Sequence, residues 1–317
     1  MLDIISVGPG EAVLLTDDAK RAIDRADAVW CAARHAVLVP PEKARPLSPL
    51  EGAIEQMRLS SDAGQSAAVL VSGDAGLYSL LEMLKRKIGG EYLRVHPGVS
   101  ALQLFAARLG VSWQDAKILS AHGRALSESA LCHAVRTHRQ TFCFLDAAHN
   151  PAWVRESLNL GGLENVRLFV GERLSYPDER TEAYDPDATY DPLCMAYIEN
   201  DAPESGLPPV GLSDEAFIRG KTPMTKQDVR ALVVSALHLK PNGVVWDIGA
   251  GTGSVSVECA RQCPLGEVYA VEMKDEALDL IRRNAERFHA LNLRVVPGRA
   301  PEVLSALPAP DAGFLGG

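Results

Sequence analysis

The sequence predicts an α/β fold built on parallel sheets, and three observations carry that reading. Short apolar runs, at 67–72 and, rich in β-branched residues, at 244–248 among others, suit buried parallel strands. Each is followed at once by a glycine-bearing turn and then by helical spacing, the alternation that builds βαβ units. A polar stretch with three prolines, 200–211, separates a longer front part from a shorter back part.

In the front part, residues 2–7 read as a strand closed by Gly8-Pro9-Gly10. Residues 12–26 read as a helix, with Thr16 placed to cap its main part and Asp17 and Asp18 in the first turn. A short strand follows at 28–31. Residues 40–49 hold four prolines and read as an exposed connection, and 52–58 as helical. The strand at 67–72 runs into Gly73-Asp74-Ala75-Gly76 and a helix over 77–87. A strand at 92–96 leads to Pro97-Gly98-Val99-Ser100 and a helix to Arg108.

After Gly110 the pattern restarts. Strands are expected at 117–120, ending in Ala121-His122-Gly123-Arg124, and at 141–145. Asn150-Pro151 opens a helix to Leu158. A strand at 166–170 ends in Gly171-Glu172-Arg173-Leu174-Ser175-Tyr176-Pro177, and the last lies at 195–199. Residues 1–110 and 111–200 thus make two successive α/β lobes, with a cleft expected between them. The domain boundary is placed in the polar stretch, giving domains 1–206 and 207–317.

The back part turns on 244–272. The strand at 244–248 breaks at Gly249, Gly251 and Gly253, and helical spacing begins at Ser254. A second strand at 267–271 ends on Glu272, whose carboxylate suits the two hydroxyls of a ribose. The dinucleotide fingerprint wants its third glycine at the sixth position, which here is Ser254. No basic residue stands in the turn to meet a pyrophosphate, and Asp247 just before it repels phosphate while suiting a cation. The donor set therefore favours S-adenosylmethionine (SAM), which carries an ammonium and a sulfonium and no phosphate. The rival is a tight turn without a ligand.

The bulk numbers agree with an ordinary globular chain: 317 residues, about two domains by length, 47% apolar and 23% charged. A net charge of −9 argues against general nucleic-acid binding, which needs a basic face. No apolar run reaches the ~18 residues of a membrane span, and no basic leader precedes the first strand. The six cysteines are scattered. Cys259 and Cys263 share a helical face without nearby partners, so no metal is expected. The cytoplasm is the expected compartment.

Asp247-Ile248-Gly249-Ala250-Gly251-Thr252-Gly253 with Glu272 resembles the Rossmann-like methyltransferases. In the front part, Val7-Gly8-Pro9-Gly10, Ser72-Gly73-Asp74-Ala75-Gly76-Leu77-Tyr78 and Pro97-Gly98-Val99-Ser100 resemble the tetrapyrrole methyltransferase family. His122-Gly123-Arg124 and the run from Gly171 to Arg180 are similar to the branch that methylates C5 of a corrin-ring precursor. Met224-Thr225-Lys226-Gln227-Asp228-Val229-Arg230 and Pro297-Gly298-Arg299-Ala300-Pro301 are similar to the C15-methylating, decarboxylating branch. The order matches a fusion of the two in cobalamin biosynthesis.

The resemblance implies a two-lobed tetrapyrrole methyltransferase fold followed by a Rossmann-like SAM domain. It implies SAM in the first cleft at Pro9, Gly10, Gly73, Asp74, Ala75, Tyr78, Ser100 and Ala101. In the second domain it implies SAM at Thr225, Asp247, Gly249, Ala250, Gly251, Thr252, Gly253, Glu272, Arg299 and Ala300. Asp74, Ser100 and Thr225 also suit plain helix capping. His122, Arg124, Glu172 and Tyr176 are the catalytic candidates, and Arg124, Arg173 and Arg180 would bind the substrate's carboxylates. The implied partner is an anionic tetrapyrrole, with no nucleic acid or membrane, and the family habit suggests a homo-oligomer.

One departure stands out. From Val244 the chain offers four strands, at 244–248, 267–271, 293–296 and 312–315, and then stops. The lobe is expected to hold its SAM half and lack much of its acceptor half, leaving an exposed edge. Alternatives are therefore kept: a methyltransferase of another small molecule or of nucleic acid, an oxidoreductase holding NAD at Glu272, or a C-terminal remnant without catalysis. The chemistry itself asks little of side chains. A bridging carbon of a reduced tetrapyrrole is already nucleophilic, so positioning and exclusion of water matter more than a strong base.

Overall fold

The computed structural model describes residues 1–316. β1 (Leu2–Ser6) is buried along its whole length. Alternate side chains feed two cores. Leu2 and Ile4 pack with Trp30, Met57 and Val69, whereas Ile5 and Val7 pack with Ile23, Val29 and Leu70. α1 (Asp17–Arg25) starts where expected, because the Thr16 side chain accepts a 3.1 Å bond from the Ala19 amide. β2 (Ala28–Cys31), β3 (Ala44–Pro46), α2 (Leu50–Asp62), β4 (Ala67–Val71), α3 (Leu81–Ile88), β5 (Leu93–His96) and α4 (Ala101–Leu109) follow. The five strands form a parallel sheet in the order β3-β2-β4-β1-β5.

The next elements are β6 (Lys117–Ser120), α5 (Glu128–Thr137), β7 (Gln140–Phe144), α6 (Pro151–Leu160), β8 (Arg167–Glu172), β9 (Arg180–Ala183) and β10 (Cys194–Glu199). Their sheet runs β6-β7-β10-β8-β9, with β8 and β9 antiparallel. Then come α7 (Gln227–Ala236), β11 (Val244–Ile248), α8 (Ser254–Gln262), β12 (Glu267–Glu272), α9 (Asp275–Arg287), β13 (Leu293–Pro297) and β14 (Ala312–Leu315). These strands form a parallel sheet ordered β13-β12-β11-β14. β14 lies at its edge, and Leu315 is 76% exposed.

The chain divides into two compact units. One comprises Met1–Asp115, Phe144–Ala147 and Phe169–Tyr197. The other comprises Ala116–Cys143, Ala148–Leu168 and the chain from Ile198 onward. Among the described residues no helix is long and apolar enough to cross a membrane. The six cysteines are buried, and among the described residues none forms a disulfide.

Several expectations need correction. The connection at 40–49 contains β3, which pairs in parallel with β2 as an edge strand, where proline is tolerated. α3 begins at Leu81 rather than at 77, because the chain first turns at Asp74 and then passes Tyr78 at φ 51. α5 and β9 lie where the sequence reading places no element. Thr225 does not cap α7: the N-cap is Lys226, without a side-chain bond, and the helix ends at Ala236, short of His238.

Candidate functional site

In the first unit the loops after β1, β4 and β5 leave the sheet at the carboxyl ends of neighbouring parallel strands, where such sheets hold ligands. Backbone and side chains stitch them together. The Gly73 amide donates to the Gly8 carbonyl at 2.7 Å, and the Gly8 amide returns a bond to Gly73 at 3.2 Å. Ala75 N donates to the Ser6 hydroxyl at 2.9 Å. Asp74 accepts from Gly76 N at 2.8 Å through one oxygen and from Gly98 N at 3.3 Å through the other. It therefore joins two loops and caps no helix. A side chain on Gly98 would meet Ser6 Cβ at 2.7 Å, so glycine permits that approach.

Ser100 takes its capping reading in full. Its hydroxyl accepts from Gln103 N at 3.1 Å while Gln103 Oε1 accepts from Ser100 N at 2.8 Å, a capping box that starts α4. Ala101 is the first residue of that helix. The rings of Tyr78 and Phe144 meet edge-to-face, with centroids 5.8 Å apart.

The run that follows β8 reaches this floor. Tyr176 lies against the turn at Pro9 and Gly10: a Cβ on Gly10 would stand 2.3 Å from the Tyr176 hydroxyl, and Gly10 has φ +147. The run is strained, with Arg173 at φ 47 and Ser175 at φ 76. Ion pairs hold it, since Arg173 Nε donates to Asp178 at 2.7 Å and Arg108 Nε to Glu179 at 2.5 Å. Glu172 is buried, accepting from Arg180 Nε at 2.5 Å and from Asp191 N at 2.9 Å. Its carboxylate is thus engaged in folding the run. Arg180 also lies 3.6 Å from Glu182, and Arg173 lies 3.5 Å from Asp191. The charges of Arg173 and Arg180 are answered within the chain.

His122 and Arg124 belong to the other unit, exposed on the turn after β6, where Arg124 N donates to the Ala121 carbonyl at 3.1 Å. A cavity of about 610 Å³ is lined by Cys31, Ala33, Ala36, Pro46 and Leu80 among others, and none of the expected site residues lines it.

The second glycine turn is built as its sequence implies. Gly249, Gly251 and Gly253 all have positive φ, at 75, 57 and 77. Gly249 N and Ala250 N both donate to the Val271 carbonyl, at 2.9 and 3.1 Å, fastening the turn to β12. Glu272 accepts from Gly251 N at 3.0 Å, Met273 N at 2.8 Å and Lys274 N at 3.0 Å. A Cβ on Gly251 would stand 3.1 Å from the Pro223 carbonyl, so the segment before α7 passes close over the turn.

Asp247 is 1% exposed and accepts from the Ser256 hydroxyl. Burial pushes its carboxyl up to about 6, against the pull of the Ser256 bonds, and the nearby Glu272 charge adds to the rise. Thr252 is buried and its hydroxyl has no partner among the described residues. Thr225 contributes its carbonyl, which accepts from Arg230 at 2.6 Å. Arg299 is exposed and Ala300 partly buried in the loop after β13.

Sequence reasoning missed one group on the functional edge. After β2, Arg34 and His35 meet Ser72, which follows β4. No local pattern announces a contact spanning 37 residues; only the position of both at the ends of adjacent parallel strands marks it.

The profile of the tetrapyrrole (corrin/porphyrin) methylases matches residues 1–185, and that of the precorrin methyltransferase domain matches 215–317. A precorrin-6Y C(5,15)-methyltransferase [decarboxylating] of Sinorhizobium sp is 33% identical over 330 residues, covering 100% of this chain and 78% of that protein. A probable cobalt-precorrin-6B C(15)-methyltransferase (decarboxylating) of Pyrobaculum calidifontis is 50% identical over 110 residues, 34% of this chain. The match spans 56% of that relative. The uroporphyrin-III C-methyltransferase of Thermus thermophilus, solved with S-adenosylhomocysteine, shares the fold of the front part. Its TM-score is 0.51 at 18% identity, covering 62% of this chain and 96% of that one. The chain is therefore a methyltransferase and belongs to the tetrapyrrole (corrin/porphyrin) methylase family, with a precorrin methyltransferase domain behind the methylase region.

Proposed function

We propose that the chain methylates a carboxylate-rich corrin-ring precursor of the precorrin-6 type in cobalamin biosynthesis, taking its methyl groups from SAM. C5 is assigned to the region 1–206, and C15 with acetate decarboxylation to 207–317. The observation that carries this is colinearity: the match to the Sinorhizobium C(5,15) enzyme runs through the whole chain, and two glycine-framed floors lie in its two halves. The C15 assignment rests on a region that spans 55–57% of its C15 relatives.

The residues fit the donor. Around β11, carboxylates and backbone amides frame a turn with no basic residue between Asp247 and Ser254. That favours a cationic ligand over a pyrophosphate. In the front floor, Gly73 leaves its backbone open to a flat nucleoside, since a Cβ there would meet nothing closer than Ser100 Cα at 4.0 Å. SAM, when bound, supplies an electrophilic methyl on sulfonium. The chain's part is to align that methyl with the ring carbon and keep water out, which buried Pro9 and Ala75 favour.

Titration calorimetry with SAM, together with the product mass from the metal-free precorrin-6 ring, tests the reading. Two donor sites per chain, and a product gaining two methyls with loss of carbon dioxide, are expected. A gain of one methyl confines the activity to the front region. Uptake of NAD in place of SAM overturns the assignment.

A further inference from the structure

The turn after β2 carries a guanidinium that pairs with no carboxylate among the described residues. Arg34 is exposed, yet its fork is fixed on one side. Nε donates to His35 Nε2 at 3.2 Å, and one terminal nitrogen donates to the Ser72 hydroxyl at 2.6 Å. Ser72 in turn lies 2.8 Å from His35 Nε2. Because Nε2 accepts from Arg34, it bears no hydrogen, and the Ser72 hydroxyl donates to it as well. The imidazole is then neutral, with its hydrogen on Nδ1.

That Nδ1 is buried and has no hydrogen-bond partner among the described residues, and His35 is 1% exposed. Leaving a buried donor unpaired is costly, and a protonated ring in this place would repel Arg34. Burial, and then the Arg34 charge, hold the His35 pKa down at about 4, so the ring stays neutral at physiological pH. A buried neutral histidine and a serine thus aim one exposed cation.

The place is informative. β2 and β4 are adjacent and parallel, so both loops emerge on the edge that carries the Gly8–Gly73 floor, and Ser72 directly precedes Gly73. Arg173 and Arg180, which the sequence offers for substrate carboxylates, are neutralised by Asp178 and Glu172. Among the described residues no carboxylate pairs with Arg34.

We propose that Arg34 binds a carboxylate side arm of the tetrapyrrole substrate, with His35 and Ser72 as its positioning residues. A guanidinium with one edge fixed and the other open is suited to a planar carboxylate. The assignment rests on the anionic-tetrapyrrole reading above.

The test uses the full chain and two probes, uroporphyrin with free carboxylates and its methyl ester, followed by fluorescence, with SAM affinity measured alongside. Arg34→Gln weakens binding of the free acid about tenfold or more, leaves the ester unchanged and keeps SAM affinity within about twofold. Arg34→Lys restores part of the loss. His35→Leu, which keeps the charge but releases it, falls between Arg34→Gln and wild type. Equal binding of the free acid by wild type and Arg34→Gln overturns this assignment alone. So does an equal loss for acid and ester, or a parallel loss of SAM affinity, which would place the action at the Ser72 loop. A wild-type chain that takes up neither probe overturns this assignment together with the tetrapyrrole reading.

Discussion

Asp247 shows what a single carboxylate costs and what it contributes. Its folded pKa of about 6 lies above the ordinary 3.8, so folding favours the protonated form. The associated stability is fully present below pH 3.8 and is lost as pH rises through about 6. A shift of this size corresponds to about 3 kcal/mol. Asp247→Asn removes the charge and keeps the shape. The variant is expected to be more stable than wild type at pH 7.5, by up to about 3 kcal/mol, with the advantage shrinking by pH 4. Urea midpoints at the two pH values measure it, and an advantage independent of pH would refute the account. SAM affinity is expected to fall in the same variant, since the carboxylate behind the turn is what favours a cation. Asp247, its three glycines and Glu272 are legible in the sequence because they lie in one strand–turn–helix string. Arg34 and His35 are not, because their meaning depends on Ser72, which only the sheet brings near.

At the scale of elements, a buried ion cluster holds the segment that crosses the second glycine turn. Arg230 on α7 is 0% exposed and Glu258 on α8 is 1% exposed, joined at 3.0 Å. Arg230 also donates to Asp214 at 3.2 Å and to the Leu212 carbonyl, and lies over the Phe217 ring at 4.6 Å. Glu258 further accepts from Gly211 N at 2.9 Å and Leu212 N at 2.8 Å. Arg230→Met leaves a buried carboxylate without its cation and is expected to cost about 3–5 kcal/mol. Arg230→Met with Glu258→Gln should recover part of that loss, because the orphaned charge is gone; chemical denaturation of wild type, the two single variants and the double variant decides it, and simple additivity would sink the idea. Elements with strong local signals, such as α1 with its Thr16 cap and β11 with its apolar run, are readable in advance. β3 is three residues ending in proline, and β9 is partly exposed throughout, so neither shows the alternation that betrays a strand. The start of α3 is displaced by the turn at Asp74, whose second bond goes to Gly98, 24 residues away and invisible to a local reading.

At the scale of the whole chain, the order of the parts is legible because each carries its own glycine signatures. The proline-bearing connection is exposed through 201–207 and lies between the two matched regions, which end at 185 and begin at 215. Limited proteolysis is expected to cut first within 201–210, yielding a front fragment near residue 206 and a back fragment whose start is held by Glu258. Mass spectrometry of the earliest fragments checks this, and first cuts inside 67–110 would refute the division.

The mutual bonds of Gly8 and Gly73, with Ser6 and Asp74 tying in their neighbours, have a thermodynamic consequence. Loops laced to one another have little freedom left to surrender when a guest arrives, so occupancy there carries a small ordering penalty. Discrimination among related nucleosides then falls to shape and desolvation, and an ill-fitting one is refused rather than accommodated.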